Sequence, residues 1–108
     1  MTELAEVNDQ TFAAEVLKSG LPVLVEFGAE WCQPCRQLEP ILADIAGEWE
    51  GRLRVVTLDI DANVDSTMRY GVMGVPALLL FVGGQAVEQW NGFQPKRKIV
   101  ERLGSHIR

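Results

Sequence analysis

The stretch Pro22–Gly28 constrains the fold of this 108-residue chain more than any other segment. It runs Pro-Val-Leu-Val-Glu-Phe-Gly, so an extended backbone would present apolar side chains on both faces. Such a strand is typical of the middle of a sheet that is covered on both sides. Glu26 is the one charged residue in this run. Strict alternation would allow it to face solvent at a sheet margin, but its apolar neighbours favour burial.

The period of the apolar residues changes to a helical one after Trp31. Apolar residues recur at i, i+3, i+4, i+7 and i+11, which predicts a long amphipathic helix. These positions are Leu38, Ile41, Leu42, Ile45 and Trp49. Pro40 lies inside the pattern and should kink the helix, because it removes a backbone donor and crowds the preceding turn.

Weaker local patterns predict the other elements. Asn8 or Asp9 offers an N-cap for a first helix that ends near Gly20. The remaining segments are strands at Leu4–Val7 and Leu53–Ile60, a short helix within Asp61–Tyr70, a hairpin of Ala77–Val82 and Ala86–Trp90 around Gly83-Gly84-Gln85, and a last helix that starts at Pro95 and buries Ile99, Val100, Leu103 and Ile107. The order β-α-β-α-β-α-β-β-α predicts an α/β fold, in which a central mixed β-sheet is flanked by helices on both faces.

Length and charge narrow the possible functions. The chain carries 10 Lys and Arg against 15 Asp and Glu, a formal net charge of −5, whereas a protein that binds a phosphate backbone needs a basic surface. Its length is that of one domain, residues 1–108. The first residues lack the features of a signal peptide, and the apolar run Ala77–Val82 is far shorter than the ~20 residues of a membrane span. We therefore expect a cytoplasmic, monomeric protein that binds neither nucleic acid nor membrane.

The segment Trp31-Cys32-Gln33-Pro34-Cys35 lies between the buried strand and the long helix. The first turn of a helix has free N–H groups and the positive end of the dipole, and both favour a thiolate on Cys32. Cys35, one turn further on, is near enough to attack a mixed disulfide on Cys32 and should be the more buried of the two. Pro34 suits the first turn because its missing N–H costs nothing there.

Three other interpretations of the two cysteines are weaker. Buried cysteines are often small apolar core residues, but this does not explain their spacing. A zinc site would need further ligands, and the one remaining soft ligand is His106 near the far end of the chain. A purely structural disulfide is disfavoured in a reducing compartment. A Cys-x-x-Cys pair in a βαβ context predicts thiol–disulfide redox chemistry, which needs no metal and no organic cofactor.

These features together resemble the thioredoxin family, and the resemblance extends over nearly the whole chain. The residues that match the family, particularly its bacterial type, in order and spacing are Ala29-Glu30-Trp31-Cys32, Pro34-Cys35, Pro40, Tyr70-Gly71, Gly74-Val75-Pro76, Leu78–Phe81, Gly84 and Gly92. The resemblance implies the thioredoxin fold and protein-disulfide reductase activity, with Cys32 as the nucleophile and Cys35 as the resolving thiol. It also implies protein disulfides as substrates and an NADPH-dependent flavoprotein reductase as the electron source.

The resemblance further implies roles for residues outside the cysteine pair. In the family the Val75–Pro76 bond is cis and faces the cysteines, and the backbone before the proline pairs with an extended substrate. Glu26 stands where the family usually has a buried aspartate that exchanges a proton with the second cysteine, so we expect Glu26 to serve Cys35 in this way. The residues expected to bind substrate are Trp31, Pro34, Gly74, Val75, Pro76, Gly92 and Phe93.

Some departures from the family lie beside the cysteines. Gln33 replaces the usual glycine between them and is therefore a candidate for tuning the redox potential. Arg36, one turn after Cys32, is a second candidate because its charge would stabilise a thiolate. Gly28 replaces a common tryptophan, which removes a large side chain from this region.

Other departures lie further away. Thr57 replaces a common lysine, so the buried carboxylate is expected to lack a cationic partner and to be protonated more readily. Ala77 and Phe93 replace a common threonine and a small residue, and Phe93 is expected to alter the substrate groove. Met68 and Met73 are expected to be core residues.

Two other functions are open at this point. Gln33 permits an oxidase or isomerase-like protein, in which the same chemistry runs in the opposite direction. A non-catalytic thioredoxin-fold binding or chaperone module would use the same fold without turnover. Replacing both cysteines with serine distinguishes the binding module, because it alone would keep its function.

Overall fold

A five-stranded mixed sheet lies at the centre of the protein, whose computed structural model describes residues 4–107. The strands are β1 (Ala5–Glu6), β2 (Val23–Gly28), β3 (Arg54–Asp59), β4 (Ala77–Val82) and β5 (Gln85–Asn91). Their order is β1-β3-β2-β4-β5; β1, β3 and β2 are parallel, and β4 is antiparallel to both β2 and β5. All six residues of β2 are buried, as expected for a central strand.

Helices connect and cover these strands. They are α1 (Gln33–Glu48), α2 (Val64–Arg69) and α3 (Lys96–Gly104), preceded by a single π-helical turn at Ala13–Leu17. The observed order matches the order expected from the sequence, and the predicted α/β class is confirmed. Pro40 lies within α1, which continues beyond it to Glu48.

Two apolar clusters, one on each face of the sheet, form the core. Because side chains alternate along β2, Leu24 packs on one face with α1 residues such as Leu42. Val25 packs on the other face in a cluster that contains Phe12 from the N-terminal segment. Glu26 is two residues after Leu24, so its carboxyl is directed to the face that carries α1.

The first predicted helix is shorter than expected, and Asn8 caps it instead of Asp9: Oδ1 of Asn8 accepts a hydrogen bond from the N–H of Thr11 at 2.9 Å. The helical part is a π turn closed by the bond from Lys18 N–H to Ala13 O, at 2.9 Å. The Asp9 carboxylate instead accepts hydrogen bonds from the N–H groups of Ser66 (2.9 Å) and Asp65 (3.3 Å) at the start of α2. Hydrogen bonding to Ser66 holds the pKa of Asp9 below its usual value. A residue far away in sequence therefore caps α2.

The expectation that Met68 and Met73 are core residues is wrong. The two residues are 74% and 98% exposed. α2 buries Ser66, and a residue two positions further along a helix points to a different side, so Met68 faces outward. Met73 lies in the loop before β4, where no periodicity fixes the direction of a side chain.

The β4–β5 turn requires glycine more strictly at one position than at the other. Gly83 and Gly84 both have positive φ, 59° and 83°. A Cβ on Gly84 would stand 2.8 Å from the backbone oxygen of Leu17, whereas a Cβ on Gly83 would meet nothing within 4 Å. We expect Gly84→Ala to lower the free energy of unfolding by about 2–3 kcal/mol and Gly83→Ala by about 1 kcal/mol. Urea unfolding measures both, and equal losses would exclude a role for the contact with Leu17.

Candidate active site

Cys32 and Cys35 form a disulfide at the start of α1, and their α-carbons are 5.3 Å apart. Cys32 is the N-cap residue, and its Sγ accepts a hydrogen bond from the N–H of Cys35 at 3.2 Å. Pro34 lies in the first helical turn, as expected. The two cysteines are 3% and 1% exposed, so the expected difference in burial is slight. In the reduced protein the same N–H and the helix dipole would stabilise a thiolate on Cys32.

The residues adjacent to the cysteines in the chain are exposed. The Trp31 side chain is 67% exposed, and its indole N–H donates to Oδ2 of Asp61 at 2.8 Å. Gln33 and Pro34 are exposed as well. Arg36 is also exposed, and its guanidinium donates to the backbone oxygen of Glu30. The disulfide therefore lies beneath a surface whose chemistry is set mainly by these side chains.

The start of β4, the end of β5 and the end of β2 lie side by side at the same end of the sheet. Ala77 pairs with Phe27 on one side and with Asn91 on the other. The next residues, Pro76 and Gly92, are joined by a hydrogen bond from Gly92 N–H to Pro76 O at 2.8 Å. This register brings two of the expected substrate-binding residues together next to the strand that leads to the cysteines.

The exposure of the other expected substrate-binding residues varies. The Val75–Pro76 bond is cis, as the family resemblance implies. Gly74 is exposed, and Phe93 is 44% exposed. Val75 and Gly92 are half-buried, and Pro76 is buried. Phe93, Gly74 and Val75 are therefore accessible, whereas Pro76 lies within the protein.

Glu26 is buried, in agreement with the expectation from its apolar neighbours. The residue is 1% exposed, and within residues 4–107 its Oε2 has no hydrogen-bond partner. Its partners on the neighbouring strands are Thr57 and Leu78, and neither carries a charge. Burial, reinforced by the nearby carboxylate of Glu39, raises the pKa of Glu26 to about 8. A carboxyl with this pKa can both take up and release a proton near neutral pH.

Gly28 lies between Glu26 and the disulfide. A Cβ at this position would stand 3.2 Å from Sγ of Cys35 and 3.7 Å from Cδ of Glu26. The Cys35 sulfur and the Glu26 carboxyl thus both lie near the position that a side chain of residue 28 would occupy. A side chain at this position would be in tight contact with the Cys35 sulfur, and glycine avoids that contact.

A cavity of about 520 Å³ adjoins this region on the α1 face. Gly28 and Thr57 contribute to its lining, together with five carboxylates and one guanidinium. The charged residues that line it are Glu6, Glu26, Glu30, Arg36, Glu39 and Asp59. The buried Glu26 is therefore one wall of an acidic cavity, and not a group enclosed by apolar side chains on every side.

The sequence pattern did not single out Glu39 or the cavity. Glu39 is half-buried and lies four residues after Cys35 on α1, which places the two residues on the same side of the helix. That spacing is visible in the sequence and is the signal that could have identified Glu39. The cavity itself has no such signal, because it depends on how α1 sits against β2 and β3.

No metal centre is found in the described part of the chain. Between residues 4 and 107, no group of three or more His, Cys, Asp and Glu side chains is placed to hold a metal ion. His106 lies instead beside Glu88, with Nε2 3.0 Å from a carboxylate oxygen. None of the helices in the same range is long and apolar enough to cross a membrane.

Comparison with known proteins agrees with this arrangement. The Thioredoxin family model matches residues 3–105. The chain is 41% identical to Thioredoxin 1 of Nostoc sp. over 107 residues, which cover 99% of this chain and 100% of the relative. It is 38% identical to the thioredoxin of Synechocystis sp. over 107 residues, with the same coverage. It is 39% identical to the thioredoxin of Rickettsia bellii over 103 residues, 95% of this chain and 98% of the relative.

The protein has a mixed sheet whose central strand is followed by a Cys-x-x-Cys disulfide at the start of a long helix. This arrangement is that of a dithiol–disulfide redox protein. The chain belongs to the thioredoxin family. It is accordingly a thiol–disulfide oxidoreductase that reduces protein disulfides by means of the Cys32–Cys35 pair.

Proposed function

We propose that this protein-disulfide reductase works by a two-thiol cycle in which Cys32 attacks and Cys35 resolves. The Cys32 thiolate attacks one sulfur of the substrate disulfide, and the other substrate sulfur leaves as a thiolate and takes up a proton. Cys35 then loses its proton and attacks Cys32 in the mixed disulfide, so that the second substrate thiolate leaves and the Cys32–Cys35 disulfide forms. The observation that carries this assignment is the position of Cys32 as the N-cap of α1, with the N–H of Cys35 directed at its sulfur.

Glu26 is the group that exchanges the proton with Cys35. When Cys35 attacks, an ionised Glu26 accepts the thiol proton; when the disulfide is reduced again, a protonated Glu26 returns it to the Cys35 thiolate. The proximity of both groups to Gly28 and the pKa of Glu26 near 8 support this role. A carboxyl with an ordinary pKa would be ionised at neutral pH and would lack the proton needed for the return step.

The substrate lies across the exposed residues around the cysteines. We assign this surface to Trp31, Pro34, Gly74, Val75 and Phe93. The hydrogen bond between Gly92 and the buried Pro76 holds the loop before β4 in place. The backbone of Val75 pairs with an extended segment of the substrate, in the manner of an added strand. Gln33 and Arg36 tune the stability of the Cys32 thiolate, because one lies between the cysteines and the other carries a positive charge one turn later.

The wider setting is that of a monomeric, single-domain protein, residues 1–108, that acts in the cytoplasm. It binds no cofactor, because the electrons reside on the two sulfurs. An NADPH-dependent flavoprotein reductase returns the disulfide to the dithiol, which places the chain in electron transport from NADPH to protein disulfides. Similarity to bacterial thioredoxins over nearly the whole chain supports this setting.

A reconstituted assay tests the cycle, its electron source and the role of Glu26 together. With NADPH, a bacterial thioredoxin reductase and a disulfide-bonded peptide, we expect NADPH to be consumed when all components are present and not when this protein is omitted. Glu26→Gln keeps the size of the side chain but cannot exchange a proton. It should slow turnover near pH 7 by about tenfold to a hundredfold, which reaches the lower end of the roughly 10²–10⁴-fold typical of general acid–base catalysis.

Glu101→Gln is the matched control, since it makes the same chemical change on an exposed residue of α3. It should leave the rate unchanged. If Glu26→Gln and Glu101→Gln were equally active between about pH 6 and pH 9, Glu26 would have no part in proton transfer. If a dithiol supported turnover but the flavoprotein reductase did not, the cycle would stand and the proposed electron source would be wrong.

A further inference from the structure

We propose that Glu39 is a positioning residue that forms a proton-sharing pair with Glu26 and passes protons between Glu26 and the water in the acidic cavity. This inference rests on the proposed role of Glu26. Glu26 is 1% exposed and must nevertheless exchange protons with solvent during each cycle.

The placement of the two carboxyls supports the pair. Glu26 and Glu39 both line the cavity of about 520 Å³, Glu26 from β2 and Glu39 from α1. Glu26 is buried, whereas Glu39 is half-buried and is therefore also accessible to solvent. Glu39 also lies one helical turn after Cys35, on the same side of α1. The Cys35 sulfur and the Glu26 carboxyl both lie near Gly28.

The charges around Glu26 favour a shared proton. Two neighbouring carboxylates, one of them buried, repel each other, so one of them tends to hold a proton that it can donate to the other. The neighbouring carboxylate of Glu39 contributes to the raised pKa of Glu26, in addition to burial. Oε2 of Glu26 has no partner within residues 4–107 and is therefore free to carry that proton.

Within the described part of the chain, neither strand beside Glu26 places a positively charged residue in register with it. No cation on the described residues of these strands therefore neutralises an ionised Glu26. Strand β4 contributes the uncharged Leu78, and β3 contributes the uncharged Thr57. Helix α3 contributes no residue to the lining of the cavity. The titratable and charged groups that face the cavity or Glu26 are Glu6 from β1, Glu30 from the loop before α1, Cys35, Arg36 and Glu39 from the region of α1, and Asp59 from β3. Arg36 is engaged with the backbone oxygen of Glu30.

The proton path balances in both directions. When Cys35 attacks, its S–H bond breaks and the proton forms an O–H bond on Glu26. Glu26 then donates this proton to the carboxylate of Glu39, which releases it to water in the cavity. When the disulfide is reduced, the same steps run in reverse. Glu26 protonates the Cys35 thiolate, and Glu39 then takes a proton from water and donates it to Glu26. No electrons move in these steps, and no further reactant is required.

The test is a titration of Glu26 in the intact oxidised protein, followed by carboxyl ¹³C NMR. Glu39→Gln removes the neighbouring negative charge and keeps the length of the side chain. We expect it to shift the midpoint of the Glu26 titration to lower pH by about one pH unit. Asp44→Asn is the matched control, because Asp44 is an exposed carboxylate on the same helix that does not line the cavity; it should leave the midpoint in place. An unchanged midpoint in Glu39→Gln would overturn the pair.

A pH profile of single-turnover peptide reduction tests the proton path separately. Glu39→Gln should displace the profile to lower pH because the pKa of Glu26 falls, and it should lower the maximum of the profile by about threefold to tenfold because the relay to solvent is lost. Adding Glu39→Gln to Glu26→Gln should have no further effect, because Glu39 acts through Glu26. Equal additional loss in the double variant would refute the path. If Glu26→Gln alone had a normal profile, the proposed role of Glu26 would fail, while the NMR titration would still decide whether the two carboxyls are paired.

Discussion

Cys32→Ser should abolish reduction of a disulfide-bonded peptide, with a loss of turnover of about 10³-fold or more, as expected when a nucleophile is removed. The reason lies in its position as the N-cap of α1, where one sulfur receives the helix N–H and the other does not. Cys35→Ser should also stop turnover, but by a different route. Cys32 would still attack, and the mixed disulfide would accumulate because the resolving thiol is missing.

Intact-protein mass spectrometry after mixing with the oxidised peptide distinguishes the two variants. Cys35→Ser should gain the mass of one peptide chain, and a reducing agent should remove it. Cys32→Ser should gain little, because the Cys35 sulfur does not receive the helix N–H that stabilises a thiolate on Cys32. If Cys35→Ser remained unmodified and Cys32→Ser formed the adduct, the two roles would be reversed. If the serine variants still performed the function of the protein in full, a binding module would be the better description.

The central part of the fold could be predicted from the sequence because its signals are local. β2 is apolar on both faces, and α1 has an apolar face that continues through Pro40. The β4–β5 hairpin follows from two glycines between strands, although Gln85 belongs to β5 and not to the turn. In each case the residues that define the element lie within a few positions of one another, so periodicity alone identifies them.

The errors occurred where distant residues decide the local structure. Asp9 has the chemistry of a helix cap, but the helix that it caps begins more than fifty residues later. The N-terminal segment has helical hydrogen bonds from Phe12 to Asn8 and from Glu15 to Thr11 and ends in a π turn, and its buried Phe12 and Val16 follow helical spacing. The prediction for Met68 and Met73 is wrong because the apolar character of a residue says little about its exposure outside a periodic pattern.

The candidate site shows the same division. The cysteine pair and the burial of Glu26 follow from their places in the chain, between a strand and a helix and within an apolar run. Glu39 and the acidic cavity depend on the distance between α1 and the sheet, which a single sequence does not encode in any local pattern. Gly28 belongs to both groups: its departure from the family is visible in the sequence, but its contact with Cys35 and Glu26 is visible only in the structure.

The burial of Glu26 should make the stability of the oxidised protein fall as the pH rises. In the unfolded chain a glutamate titrates near its ordinary pKa of 4.5, whereas in the folded protein burial and the Glu39 carboxylate raise the pKa of Glu26 to about 8. Below pH 4.5 both states hold the proton, and the contribution of Glu26 to stability is fully present. Between these two values the unfolded chain ionises while the folded protein does not, so unfolding becomes progressively easier. Above about pH 8 both states are ionised and the loss is complete.

Glu26→Gln removes this dependence because glutamine has no proton to lose. One pKa unit corresponds to about 1.4 kcal/mol, so the free energy of unfolding of the variant should rise relative to the parent by about 4 kcal/mol between about pH 4.5 and pH 9. This is a large share of the roughly 5–15 kcal/mol that stabilises a domain. Guanidinium unfolding of the oxidised proteins at intervals of pH measures it, with Glu101→Gln as the control for a general change of charge.

The decisive observation is how the difference in unfolding free energy between Glu26→Gln and the parent changes with pH. The amide introduced by Glu26→Gln makes the same contacts at every pH, so packing effects move the whole curve, whereas the raised pKa changes its slope. A constant difference between Glu26→Gln and the parent would mean that Glu26 titrates near its ordinary value and is hydrated through the cavity. Glu39→Gln, in contrast, should reduce the slope of the parent curve between about pH 6 and pH 8 without removing it. Burial would continue to raise the pKa of Glu26, and the carboxylate of Glu39 would no longer add to it.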